Sequence, residues 1–363
     1  LIIALAGAAP AAAEVPGTPQ TWGSNSFGEL GNGTTTNRFA AGPVTGVTDA
    51  VGLHGGREHV VALRQGGAVW TWGSNQYGQI GNGSTVNRPT PVQVTGLSGV
   101  TEVAGGHYHS MALLADGTVR SWGNNAQGQL GDGTKTRRTR PVAVSGLTGV
   151  IHLHGGRGHS LALLADGTVR AWGYNGYGGL GDGTFTGRTR PVRTLNLTGV
   201  VALAGGRDHS LALRSDGTVW AWGHNAYGQV GDGTLTNRST PVRVGTLTGV
   251  VAIAAGAHHS MALRSDGTVW TWGRNYRGQL GDGTTTARRS PVRVTGLSGV
   301  AAITGGRDHG VAVLADGTVR TWGDNAYGQL GDGTTTTRRT PVAVPGVTGV
   351  TLATAGRSYT AVL

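Results

Sequence analysis

The sequence predicts an all-β fold, a seven-bladed β-propeller of four-stranded blades, and three observations carry that expectation. Trp followed by Gly recurs at Trp22, Trp72, Trp122, Trp172, Trp222, Trp272 and Trp322, a fifty-residue period without insertion or deletion. Each period divides into four short apolar stretches separated by turn signals, and no long amphipathic helical pattern interrupts them. The two chain ends supply complementary parts of one period, as a ring requires and an open solenoid does not. With 68 glycines among 363 residues and only 13% charged residues, the composition suits such an array.

In chain order, residues 1–13, "LIIALAGAAPAAA", stand outside the periods. An apolar run ending in Ala11-Ala12-Ala13 has the pattern of the later part of a secretory signal peptide, which predicts export, with the end of a membrane anchor as the alternative. Residues 14–363 form the predicted propeller. "GTPQTWG" from Gly17 matches the third strand of a period, as in "GTVRTWG" from Gly317, with Pro19 where Val is usual. Proline has no N–H, so this strand is expected to pair less completely there. Residues 49–96 show a whole period: "DAVGLHG", "HVVAL", "AVWTW" and "PVQV". The second and third strands are joined by "RQGG" here and by "ADGT" or "SDGT" later, where Asp-Gly signals a hairpin. A long loop, "GSNQYGQIGNGSTVNRPT", precedes the fourth strand. The final "TLATAGRSYTAVL" matches the first two strands, so together with Gly17–Gly23 it completes a seventh blade.

The long loop, "WGDNAYGQLGDGT" at Trp322–Thr334, superficially resembles a phosphate-binding glycine loop. Such a loop opens a helix and occurs once, whereas this one recurs in every period, so its glycines read as positive-φ architecture. Repetition argues similarly elsewhere. His59, His109, His159, His209, His259 and His309, with Tyr359 in the seventh place, are too dispersed for one site and suit structural hydrogen bonding. Ser110, Ser160, Ser210 and Ser260 directly follow His and so face the opposite side of a strand, which is wrong for a nucleophile and its base. Asp132, Asp182, Asp232, Asp282 and Asp332 occupy one loop position and read as turn-bonding residues. The seven Trp read as packing between blades. His152 and His154 share a strand face but lack a carboxylate-rich cluster, so no metal is expected. Cysteine is absent, which excludes disulfides and thiolate chemistry. The innermost strands, "VALAGG", "VAIAAG" and "AAITGG", promise little chemistry for an axial channel. Neither an enzyme nor a cofactor is expected.

The stretch "AGGRDHSLALRSDGTVWAWGHNAYGQVGDGT" resembles the repeat of the regulator of chromosome condensation family, through its Gly-x-x-His-Ser, Asp-Gly-Thr-Val and Gly-Gln-Leu-Gly elements. Seven such repeats cover residues 17–363. The resemblance implies a propeller whose functions range over a nuclear exchange factor for a small GTPase, a plant ultraviolet receptor and a secreted bacterial inhibitor of β-lactamases. The exchange-factor type carries an irregular insertion and a basic tail, neither of which is seen here. The ultraviolet-receptor type needs Trp two places before the repeated His, where this chain has Arg57, His107, Arg157, Arg207, Ala257, Arg307 and Arg357. The secreted inhibitor type fits an exported, compact ring best.

Strand direction places the Gly-Gly-Arg-x-His turns and the long loops on one face, and the Asp-Gly hairpins and Leu-x-Gly-Val connections on the other. On the first, twenty basic residues stand against ten acidic ones, which is almost the whole formal charge of +11. The repeated Arg of the loops can also pair with the loop Asp residues. Tyr77, Tyr177, Tyr227 and Tyr327 share one loop phase, while Tyr108, Tyr174, His258 and Tyr276 vary between blades. Together with Arg57, Arg157, Arg207, Arg274, Arg277 and Arg307 they form the expected partner-binding surface, since aromatic and Arg side chains dominate binding hot spots. The function expected is that of a secreted, noncatalytic binder of an acidic protein partner. The alternative is a guanine-nucleotide exchange factor or cytoskeletal regulator of the condensation-regulator type. Nucleic acid is disfavoured, because the basic face carries no reader module.

Overall fold

The computed structural model describes residues 16–363, so the export or anchor expectation for residues 1–13 lies outside the described residues. Seven separate four-stranded antiparallel sheets are arranged as the blades of a ring. Blade 1 runs outward from its inner strand Ala50–Gly55 through His59–Arg64 and Val69–Gly73 to the outer strand Arg88–Gln93. Blades 2 to 6 repeat this order from inner strands beginning at Val100, Val150, Val200, Val250 and Val300. Blade 7 is assembled from both chain ends: Ala353–Ala355 and Tyr359–Val362 pair with Gln20–Gly23 and Arg38–Pro43. In that closing sheet Gln20 opposes Val362 and Gly23 opposes Tyr359. The strand after Pro19 starts at Gln20, one residue later than its counterparts, as the missing N–H predicts.

The sequence dictates this local structure at a few repeated points. In the hairpins, Asp116 Oδ1 accepts from the Thr118 amide at 2.9 Å and its hydroxyl at 2.7 Å, and Gly117 takes φ 75°, which suits glycine. In the long loops, Asn125 Nδ2 reaches Asp132, Thr134 and Thr136 while its Oδ1 accepts from Leu130 N, so one buried amide organises the whole excursion. Gly328, Gly331 and Gly333 all have positive φ, which identifies the apparent phosphate motif as loop architecture.

The core lies between blades. Leu161, Leu163, Val169 and Ala171 of blade 3 pack with Leu203, Ala212 and Trp222 of blade 4. Every repeated Trp is fully buried, and its indole N–H donates to a loop carbonyl of the preceding blade, as Trp222 does to Gly179 at 2.8 Å. The repeated His makes a second tie. His109 Nε2 lies 2.8 Å from Ser160 Oγ, which donates onward to the Gln129 carbonyl; His59–Ser110, His159–Ser210 and His209–Ser260 repeat the arrangement. These partners are 51 residues apart, so each of these four His meets the Ser of the next blade and not its own neighbour, whereas His259 faces Gly310 and has no such partner. His309 uses Thr360 instead. Tyr359, in the seventh place, donates its hydroxyl to the His59 carbonyl, and the Ser position it would otherwise address is Val60.

Candidate functional site

On the face bearing the long loops, the polypeptide gathers most of the predicted residues into two groups. The larger spans blades 3 to 5. Tyr174 meets Tyr177 edge-on with ring centroids 6.0 Å apart, Tyr177 lies 4.5 Å from His224, and His224 continues to Tyr227 and His258. Tyr227 then meets Tyr276 at 6.0 Å, with the Arg274 guanidinium 5.6 Å from the Tyr227 ring and 5.2 Å from that of Tyr276. Arg207 joins through its Nη1, 3.2 Å from His258 Nε2. The smaller group lies on blades 1 and 2: Tyr77 packs on Tyr108 at 5.0 Å, and Arg57 sits 5.1 Å from the Tyr108 ring.

Tyr276 is 58% exposed and Tyr177 37%, whereas His258 is buried beneath the arc. The aromatic edges thus form a rigid ledge with polar atoms at its base. Burial, followed by Arg207 and Arg274, lowers the His258 pKa to about 3, so a neutral ring lies in the arc at physiological pH. Tyr327 stands apart, near Phe27 and Arg357 in the closing blade. Arg277 projects at the rim, 3.9 Å from Asp324.

Much of the arginine excess is engaged. Arg138, Arg188, Arg238, Arg288 and Arg338 each bind the loop Asp six residues earlier, with Nη2–O distances of 2.6 to 2.9 Å. In the other two loops Asn32 and Asn82 replace Asp, and Arg38 Nη1 and Arg88 Nε are buried without hydrogen-bond partners. At the turns, Arg207 contacts Asp208, Arg307 contacts Asp308, and Arg57 and Arg357 share Glu58. Burial raises the Asp208 and Asp308 pKa values against the pull of these arginines. Arg157 has no carboxylate within ion-pair distance among the described residues. His107, His224, Asp208 and Asp308 were not among the predicted site residues. His224 shares its loop phase with Tyr174 and Arg274, and that variable position is the sequence signal that could have found it.

The axial channel corrects a second expectation. A cavity of about 750 Å³ runs through the ring centre. Its blade 4 to 6 walls are apolar apart from Thr304, as "VALAGG", "VAIAAG" and "AAITGG" suggest, but blades 1 to 3 contribute His54, Glu102, His152 and His154. Innermost positions on adjacent blades converge on the axis, so four polar residues that are dispersed in sequence share one wall. His152 Nδ1 lies 2.9 Å from Glu102 Oε1. Burial pulls the His152 pKa down, but Glu102 outweighs it and raises the value. Among the described residues, no cluster of three or more His, Asp or Glu is arranged to hold a metal ion.

Comparison with known proteins agrees with this geometry. A family profile described as the RCC1-like domain matches residues 103–363, and one described as the regulator of chromosome condensation (RCC1) repeat matches residues 66–113. Among solved structures, Prp20p from Saccharomyces cerevisiae superposes with a TM-score of 0.85 at 24% identity, over 96% of this chain and 91% of that one. Human WBSCR16 superposes with a TM-score of 0.86 at 24% identity, over 95% and 99% of the two chains. The ACR4 receptor-kinase ectodomain from Arabidopsis thaliana aligns more loosely, with a TM-score of 0.51 at 19% identity over 85% and 88%. No curated protein sequence gives a significant match.

Proposed function

This chain belongs to the RCC1-like domain family, and from that premise we propose that it is a noncatalytic propeller that binds a protein partner through its long-loop face. The observation that carries the proposal is the continuous ledge Tyr174–Tyr177–His224–Tyr227–Tyr276, with Arg274 between the last two rings. Rigid aromatic edges beside half-buried guanidinium groups offer contact area at little cost in side-chain entropy. The net charge of +11 favours an acidic partner, because opposite fields accelerate encounter. We also propose that the protein works outside the cytoplasm, on the pattern of residues 1–13.

The Prp20p structure is described with that protein's binding to Gsp1p and histones, and a second yeast structure is described as Kap60 bound to RCC1. These favour a protein partner and supply the second reading, a guanine-nucleotide exchange factor or cytoskeletal regulator. Seven periods of equal length, without a wedge-like insertion, rank that reading lower. Affinity capture from secreted and envelope fractions of the source organism tests both, using the native chain and a Tyr177→Ala/Tyr227→Ala/Tyr276→Ala variant. A protein retained by the native chain and lost by the variant is expected. Equal retention by both removes the ledge from the proposal, and recovery of only a small GTPase reverses the ranking.

A further inference from the structure

We propose that the axial cavity is a second binding site, taking a small molecule whose oxyanion group sits in the long-loop mouth against Arg57, Arg157 and the ring N–H groups of His54 and His154. This site lies apart from the aromatic ledge; Arg57 and Arg157 also border the proposed partner face, so the site is tested with the propeller alone. It begins with a local sequence feature: His-Gly-Gly-Arg occurs at His54–Arg57 and at His154–Arg157, flanking Ala104–His107 of blade 2. The ring brings the two copies together, and the His54 and His154 imidazoles meet edge-on with centroids 5.1 Å apart.

Their tautomers are fixed by the backbone. The Gly105 amide lies 3.0 Å from His54 Nδ1, and the Gly205 amide lies 3.0 Å from His154 Nδ1. An amide N–H can only donate, so Nδ1 accepts and the ring proton of each neutral imidazole resides on Nε2. The carbonyls of Gly55 and Gly155, 3.2 Å from the same nitrogens, do not change this, because a proton on Nδ1 would be directed against the incoming Gly105 or Gly205 N–H. Both side chains line the cavity, and neither Nε2 has a hydrogen-bond partner among the described residues, which leaves two ring donors for a ligand.

The charge distribution selects the same side. On blades 4 and 6 the mouth arginines are matched by Asp208 and Asp308, whereas Arg157 on blade 3 has no carboxylate partner among the described residues and Arg57 shares Glu58 with Arg357. Among the described residues, the one carboxylate lining the cavity, Glu102, is occupied by His152 and by the Leu153 amide at 3.1 Å. An anion entering from this mouth therefore meets two guanidinium groups and then two N–H donors, with charge-assisted bonds strengthened in a partly enclosed site. The opposite wall, Ala252, Ile253, Ala302 and Ile303, suits a small apolar body, and the volume is within the range of small-molecule pockets.

Titration calorimetry with pyrophosphate and, separately, citrate tests the site and distinguishes phosphate from carboxylate as the recognised group. Saturable 1:1 binding of either probe is expected. Arg157→Gln, an exposed residue without an ion pair, is expected to weaken it by about tenfold, as loss of a charge-assisted contact does. His54→Ala/His154→Ala, checked by thermal melting, is expected to abolish it. Absence of heat from both probes at millimolar concentration overturns the proposal. So does binding that survives Arg157→Gln and falls instead with Arg207→Gln or Arg307→Gln, which would spread the anion over the rim.

Discussion

Acidification is expected to dismantle the ring through its inter-blade histidines. The His59, His109 and His259 pKa values are lowered to about 3, and those of His159 and His309 to about 4, in each case chiefly by burial. A histidine in the unfolded chain titrates near its ordinary value of about 6.5, so below that pH the unfolded state binds protons that the folded state refuses. Stability is therefore full above about pH 6.5 and is lost as pH falls toward 4. One pH unit into that window, each histidine costs on the order of 1 kcal/mol, and the five together roughly 5 kcal/mol, comparable with the whole stability of an ordinary domain. His152 works in the opposite sense, since its raised value favours the folded state at low pH, and so do Glu29, Asp208 and Asp308 with their raised values, so the loss measured is the difference between the two sets. Urea denaturation at half-unit steps from pH 7.5 to 4.5 measures the effect. His109→Tyr/Ser160→Val, which imports the arrangement native to Tyr359 and Val60, should reduce the protons taken up on acid unfolding by about one. A denaturation midpoint that stays flat to pH 5, or an unchanged proton count in the variant, would refute the reasoning.

Three further expectations concern the frame. Ser160→Ala leaves the buried His109 Nε2 without its partner and should cost about 1–3 kcal/mol by chemical denaturation, whereas Ser160→Thr should retain most of the stability, as Thr360 serves His309. Asn82→Asp should give Arg88 the carboxylate that the corresponding arginine has in five other loops, raising stability by about 0.5–1 kcal/mol in low salt and less in high salt. Deleting residues 351–363 removes two strands of the closing blade and exposes the edge of Gln20–Gly23. Size-exclusion chromatography should then show aggregation, and a monomer with an unchanged melting temperature would contradict the closure.

The ring was legible because its signals are local and repeated. Asp116-Gly117-Thr118 specifies its hairpin with its own side chains, Trp22 to Trp322 mark the register, and Pro19 announces the shortened strand. What sequence reading missed depends on neighbours that only closure creates. Ser110 faces away from the adjacent His109, yet it partners His59 of the preceding blade across a gap of 51 residues. His54, Glu102, His152 and His154 are isolated polar residues along the chain and become one wall only when blades 1 to 3 converge on the axis. The long-loop face was intermediate. Loop position put Tyr177, Tyr227 and Tyr276 on it, but side-chain packing made His224 the link between them and paired most of the arginines.

The central claim, that partner binding belongs to one face of the ring, is tested most directly by matched charge reversals. Association rates with the captured partner are to be measured at low and physiological salt for Arg157→Glu/Arg207→Glu/Arg307→Glu and for Arg64→Glu/Arg214→Glu/Arg264→Glu. The second set lies at the hairpin ends, where Arg64 meets Asp49, Arg214 meets Asp216 and Arg264 meets Asp266. The long-loop set should slow association by about tenfold or more and flatten its salt dependence, while the hairpin set leaves both nearly unchanged. Equal losses from the two sets, or no loss from either, would contradict face-specific binding.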